Sequence, residues 1–404
     1  MLFALIAAAF RLPRLGRPAE EIFDEVYHAK TALQYLENQP LVEWVHPPTA
    51  KLLIAVPIYF FGYQPWAWRL SAAIAGILLA PVFFLFARRV LETERAALLA
   101  TGILLCDGVY LVQSRVAMTN IFAVLFQVSS ALFVLRAILR EKLGERDMLA
   151  AGLCLGLALS TRWTSLWAWG FLGLTLVVVR GRRWLQVREL ALTFLTFLAI
   201  PLALYVLSYL PWALQGRPGQ TFGQLWTHTQ AIWGYHAGLV AEHPYFSKWY
   251  TWPLLYRPTW YYYKQTGDIV AGIIAIGNPA LWWVSVPTAL WAYHSGLWNR
   301  EPRLFFVGAG FFCLYLPWGL SPRTLNYSHY LFEAIPYTCL ALGLLLDREW
   351  DGPRRVAARA YLVVVALLFF YFLPLFIGYP FPQKWFFLNL GFGIKPWTWF
   401  RTWV

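Results

Sequence analysis

Charge is scarce in this chain: Asp, Glu, Lys and Arg make up 13% of 404 residues, against 59% hydrophobic and 19% aromatic residues. Too little polar surface remains for a soluble globule, so the composition implies an all-α polytopic membrane protein. The net charge of +13 does not point to nucleic acid, because Lys and Arg punctuate apolar runs instead of collecting on a polar face. Cysteine is sparse too. Cys106, Cys154, Cys313 and Cys339 lie scattered in apolar segments, without pairing or metal-ligand spacing, and define neither a redox compartment nor a metal site. There is no glycine-rich phosphate loop, no Asp-x-Asp triplet and no favourable Ser-His-Asp grouping, which argues against nucleotide-driven chemistry. Internal repeats and the paired broken helices of transporters are also missing.

What is present is a series of apolar runs. On the criterion of roughly 20 apolar residues per span, fewer where the ends snorkel, about eleven candidates emerge. Met1 to Leu12 reads as a short first span and not a signal peptide, since Arg11, Arg14 and Arg17 follow it without a small-residue cleavage site. The others run from Trp66 to Ala87, Ala96 to Asp107, Met118 to Leu135, Met148 to Ser160, Thr164 to Val179, Leu190 to Leu210, Asn278 to Leu297, Leu304 to Leu320, His329 to Leu346 and Tyr361 to Tyr379. This threading puts a basic cluster in each of five short loops on one side, which the positive-inside rule makes cytoplasmic. A single domain, residues 1–404, is expected. Its first external loop spans residues 12–65, and a long external loop, residues 211–277, is expected to hold interfacial helices. The aromatic tail, residues 380–404, suits an extracytoplasmic interfacial belt.

The first loop gathers titratable groups. If Asp24 opens a helix, His28 and Lys30 fall within its next two turns, and His46-Pro47-Pro48 leads into a second helix carrying Lys51. Two readings of Asp24 and Glu25 are open: an acidic pair favoured by the helix dipole, or a general base for an acceptor hydroxyl. His46 and Lys51 form either a helix-start turn with a snorkelling lysine or a phosphate contact. Arg69, at the outer start of the second span, either snorkels to headgroups or clamps a phosphate. Asp107 and Arg115 bracket an outside turn as a structural ion pair or as part of a site. His243, Tyr245 and Trp249 fit a membrane-surface belt or a sugar and peptide platform. Arg323, His329 and Glu333 form a polar group at the outer end of an apolar run. Such charges on the extracytoplasmic side suggest a phosphate-bearing substrate delivered from within the bilayer.

Five stretches in order resemble the protein O-mannosyltransferases: Phe23-Asp24-Glu25-Val26-Tyr27, His46-Pro47-Pro48-Thr49-Ala50-Lys51, Arg69-Leu70-Ser71-Ala72, the turn from Asp107-Gly108 to Ser114-Arg115, and His243 to Trp249 followed by Ala275 to Trp283. The last pair looks like the bacterial branch, and the resemblance covers nearly the whole chain. It implies a GT-C membrane fold in the cell membrane with its active site on the extracytoplasmic face. Mannose would pass from a polyprenyl-phosphate donor to Ser or Thr of a translocating protein, with inversion and without a metal or other cofactor. Carried onto this chain, Asp24 is the base with Glu25 beside it. Arg69 holds the leaving phosphate, with Lys51, His46 and Arg115 as helpers. Asn120 stands where the family commonly has Asp. The external carbohydrate-binding insert of eukaryotic relatives has no counterpart, which with the short first span points to a minimal prokaryotic form. A same-fold enzyme acting on a lipid or surface glycan is one alternative, and a lipid-linked sugar transporter another.

Overall fold

In the computed structural model, which describes residues 1–388 and 395–403, each of the apolar runs is helical. The chain opens with α1 (Leu2–Arg11), then packs α2 (Glu25–Leu36) on α3 (Thr49–Phe61), and α3 and α1 on α4 (Pro65–Leu91). α5 (Glu94–Leu105) returns to a short α6 (Gly108–Gln113), followed by α7 (Asn120–Ile138), α8 (Glu145–Leu159) and α9 (Ser165–Arg180). α10 (Val187–Phe194) continues through a π-helical turn at Leu195–Ala199 into α11 (Ile200–Ser208) and α12 (Leu210–Leu214). That turn leaves the Phe197 carbonyl for the Trp169 indole at 2.7 Å.

The long loop holds α13 (Leu225–Gly238), but it corrects the all-α expectation. Thr259–Thr266 (β1) and Ile269–Ala275 (β2) form an antiparallel hairpin, extended by the two-residue Phe381–Pro382 (β3) in the order β1-β2-β3. The aromatic and β-branched residues of these stretches suit a pleated surface, and Gly267 takes φ +56 at the first central position of the hairpin turn. α14 (Pro279–Trp282), α15 (Ser285–Trp298), α16 (Pro302–Tyr315), α17 (Ile335–Glu349), α18 (Arg355–Phe376) and α19 (Gln383–Phe386) complete the chain. Of the expected aromatic tail, residues 389–394 and 404 lie outside the described residues. Trp397 and Trp399 stack against α18 at Tyr371 and Phe372, 5.0 and 5.1 Å between ring centroids.

The protein is a polytopic membrane protein. Among the described residues, five stretches are long and apolar enough to cross a membrane: Pro65–Leu91, Asn120–Ile138, Val187–Leu214, Pro302–Leu320 and Arg355–Phe376. The remaining apolar helices are shorter; the 12 residues of α5 rise only about 18 Å.

Ion pairs gather the basic loops at one end in two groups. Arg95 reaches Asp347 and Asp351, Arg303 reaches Glu92 and Arg348 reaches Glu301, joining the α4–α5, α15–α16 and α17–α18 loops. Arg188 pairs with Glu145 and Arg180 donates to the Arg140 carbonyl, joining the loops on either side of α8 and α9. α4 is central at the other end. A Cβ on Gly76 would sit 2.2 Å from Ser114 Cβ, so α6 lies directly on α4, and Arg11 covers the Tyr110 ring at 4.0 Å.

Candidate active site

The first loop is shaped by two buried arginines. Arg115 donates to the carbonyls of Phe10, Arg11, Pro13 and Arg14 at 2.7–3.3 Å, collecting the chain as it leaves α1. Arg69 takes the next stretch, donating to Leu15, Pro18 and Glu20 carbonyls at 3.1, 2.7 and 3.0 Å, and closes a bidentate pair on Glu25 at 2.8 and 2.7 Å. Glu25 in turn accepts from the Ile22 and Ala117 amides, both at 3.0 Å. All five N–H groups of Arg69 are thereby used inside the protein. This corrects the expectation for Arg69, whose guanidinium is fully engaged within the protein and leaves no fork for a phosphate, while Arg115 spends its Nη1 on three of the carbonyls that follow α1. Glu25 is fully buried in this lattice, so it braces the loop and does not face a substrate.

Asp24 is turned the other way. It is the N-cap of α2, yet its side chain makes no capping bond and has no hydrogen-bond partner among the described residues. The preceding Phe23 sits at φ +49, a conformation that bulky side chains rarely adopt, with its ring stacked 4.2 Å from Tyr261. Burial, and then the Glu43 carboxylate, push the Asp24 carboxyl up to about 6, against the pull of Arg162 and Arg323.

Glu43 anchors a second cluster. Burial alone would raise its pKa, but Lys51 and then His46 bring it well below the usual carboxylate range. Lys51 Nζ pairs with the Glu43 carboxylate and donates to the carbonyls of His46 at 2.7 Å and Glu43 at 3.4 Å. Its three donors are taken and it is 1% exposed, which corrects the reading of Lys51 as a phosphate contact. His46 Nδ1 lies 2.9 Å from Glu43, and its 24% exposed ring keeps Nε2 without a partner among the described residues. His28 lies 3.9 Å from Glu43 and is held neutral by burial, its pKa down at about 3.

Arg162 is a cation whose charge acts on Asp24. Its Nη1 donates to Asn120 Oδ1 at 2.6 Å, its Nε lies 3.6 Å from Glu333, and its plane covers Tyr330 at 4.5 Å. Nη2 has no hydrogen-bond partner among the described residues. Glu333 accepts from Thr164 at 2.7 Å and Gln127 at 3.1 Å, so it belongs to Arg162 and not to Arg323. Arg323 reaches His236 Nδ1 at 3.4 Å and leaves Nε unpartnered. His329 is buried with Nδ1 unpartnered, its ring parallel to Tyr327 at 5.5 Å and edge-on to Tyr261 and Phe23.

The structure therefore gathers Asp24, Glu43, Arg162 and Arg323 into one polar group, which His46 joins through Glu43 and His329 through Tyr327, while Glu25, Lys51 and Arg69 are engaged within the protein and Arg115 holds the end of α1. His243 and Tyr245 border it through the contact of His243 with Tyr327, 5.4 Å. Trp249 packs on Tyr315 and Gly319 instead, as part of the core. Asp107 is also structural: it caps α6 through the Tyr110 amide at 2.9 Å and accepts from the Asn278 amide and Trp282 indole at 3.2 and 2.7 Å. It does not pair with Arg115. A side chain on Gly277 would collide with that indole, which explains the Gly277-Asn278-Pro279 sequence. Sequence reasoning missed Glu43, whose signal is a lone acid eight residues before a lysine in an apolar stretch. It also passed over Arg162, whose cue is a charge between two apolar runs.

The sequence matches the family model described as dolichyl-phosphate-mannose-protein mannosyltransferase over residues 1–68 and 64–214, and the C-terminal four TMM region of protein-O-mannosyltransferase over residues 221–403. The polyprenol-phosphate-mannose–protein mannosyltransferase of Mycolicibacterium smegmatis is 29% identical over 472 residues, covering 97% of this chain and 91% of the relative. Its Mycobacterium tuberculosis counterpart is 28% identical, covering 98% and 91%. Among solved structures, an S. cerevisiae protein O-mannosyltransferase complex bound to the sugar donor superposes with TM-score 0.78 at 15% identity, over 93% of this chain and 89% of that one. ArnT from Cupriavidus metallidurans bound to undecaprenyl phosphate gives 0.58 at 20% identity, over 92% and 70%. The chain has the GT-C fold and belongs to the dolichyl-phosphate-mannose-protein mannosyltransferase family.

Proposed function

We propose that this protein transfers mannose from a polyprenyl-phosphate donor to Ser or Thr hydroxyls of proteins, with Asp24 as general base and Arg162 and Arg323 as the groups that receive the phosphate. The observation that carries the assignment is the pairing of a carboxylate free of hydrogen bonds with two guanidiniums that keep unused donors. Asp24 takes the acceptor proton as the hydroxyl oxygen attacks the anomeric carbon. The bond from that carbon to the phosphate oxygen breaks, and the polyprenyl phosphate leaves with the electron pair, its charge met by Arg162 and Arg323. One base suffices, and attack opposite the leaving group inverts the centre. His46 and His329 border the sugar, and His243 and Tyr245 border the acceptor side.

The shorter apolar helices supply the remaining passes of an eleven-span bundle in a single domain. α2 and α3 in the first loop and α13 in the long loop lie at the interface. The ion-paired basic loops support a cytoplasmic placement for that end, and hence an extracytoplasmic active site in the cell membrane. Acceptors would meet it during or after translocation.

Two measurements test the site. Because a general base works deprotonated, the single-turnover transfer rate is expected to rise with pH through about 6 and to level off above about 7. A rate independent of pH across that window contradicts the assignment. Arg162→Lys keeps a positive charge beside Glu333 but removes the planar guanidinium. The phosphate loses its bidentate contact, so the donor KM should rise about tenfold. An unchanged donor KM would remove Arg162 from the phosphate site.

A further inference from the structure

His236 lies outside the groups used so far, yet three separated stretches meet on its ring. Nε2 is 2.8 Å from the Val45 carbonyl in the first loop, and Nδ1 is 3.4 Å from Arg323 Nη1 after α16. The ring also stands edge-on to His46 at 5.3 Å and lies 6.4 Å from Trp163, beside Arg162. A carbonyl only accepts and a guanidinium only donates, so the two contacts fix the ring: Nε2 carries the proton and Nδ1 offers its lone pair. Burial and the neighbouring His46, Arg323 and Arg162 favour that neutral form. Among the described residues, His236 is the only side chain that accepts from the Arg323 guanidinium. Arg323 would otherwise swing on three rotatable carbons.

We propose that His236 is a positioning residue for donor binding, orienting Arg323 toward the space in front of Asp24 while tying α13 to the first loop at Val45. This rests on the reading of Arg323 as a phosphate-holding group. The placement of α13 adds to it. Trp226 and Trp233 are spaced seven residues apart on its exposed face, 71% and 66% accessible, where a helix at the bilayer surface would seat them. His236 thus links an interfacial helix to a cation of the site.

The test is transfer kinetics with purified full-length protein and polyprenyl-phosphate-mannose, comparing His236→Ala, His236→Asn, His236→Gln, Arg323→Ala and the double variant His236→Ala/Arg323→Ala. Asn places an amide oxygen near the position of Nδ1 and so keeps an acceptor for Arg323; Gln places an amide nitrogen near Nε2 and keeps the donor to Val45. His236→Ala is expected to raise the donor KM about tenfold with the peptide KM unchanged. His236→Asn should recover most of it and His236→Gln little, and the double variant should be no worse than Arg323→Ala. Recovery by Gln and not by Asn would reduce His236 to a tie between loops and overturn the proposal, as would additive losses in the double variant. If Arg323→Ala alone leaves the donor KM unchanged, the phosphate role of Arg323 fails. If Arg323→Ala raises it and His236→Ala does not, the positioning role alone fails.

Discussion

Asp24→Asn is expected to cut mannosyl transfer by roughly 10²- to 10⁴-fold while leaving the fold and donor binding in place. The side chain makes no hydrogen bond among the described residues, so its replacement by an isosteric amide removes no internal contact. It does replace a basic carboxylate with an amide too weakly basic to take the acceptor proton in the proposed mechanism. It also relieves repulsion from Glu43, so the protein should be no less stable. The neighbouring acid behaves differently. Glu25→Gln would leave Arg69 half-paired in a dry site, and its damage should appear in melting before it appears in turnover. Adjacent carboxylates that separate in this way, one by rate and one by stability, are hard to reconcile with a purely structural acidic pair.

Arg69→Ala is the second large effect, and it is expected to be one of stability. The substitution strands a buried carboxylate, and breaking a buried pair of this kind costs about 3–5 kcal/mol. Three further carbonyls, of Leu15, Pro18 and Glu20, lose their donor at the same time. Thermal unfolding in detergent should shift sharply downward, and the surviving folded fraction should keep the wild-type donor KM. The double variant Glu25→Leu/Arg69→Leu should recover only part of the loss, because the carbonyls and the Ala117 amide stay unpaired. A normally folded Arg69→Ala protein with a weakened donor KM would restore arginine 69 to the phosphate site.

The Arg69–Glu25 and Lys51–Glu43 pairs mark the limit of what the sequence tells. Apolar runs and basic loops follow from hydropathy and charge alone, and each run became a helix. The hairpin did not, because Trp260-Tyr261-Tyr262-Tyr263 reads equally as an interfacial belt when its pairing partner Ile269–Ala275 is not yet known. Charged residues in an apolar chain announce that something must neutralise them, but not what. Arg69 and Lys51 looked like ligands for an anion; their anion turned out to be Glu25 and Glu43, residues whose approach depends on how the first loop folds back. Asp24 kept its candidacy for the opposite reason, that no hydrogen-bond donor among the described residues claims it. Arg162 gained its place only when α7 and the segment before α17 brought Asn120 and Glu333 to it.

The most direct test of the whole reading is transfer of radiolabelled mannose from polyprenyl-phosphate-mannose to a Ser/Thr-rich peptide by the purified protein, with lipid and peptide label counted separately and Asp24→Asn run beside the wild type. Label is expected on the peptide with wild type and to be lost with Asp24→Asn, while both proteins bind the donor equally. Label passing only into lipid or glycan would make the acceptor something other than protein. Undiminished peptide labelling by Asp24→Asn would contradict the base assignment on which the mechanism stands.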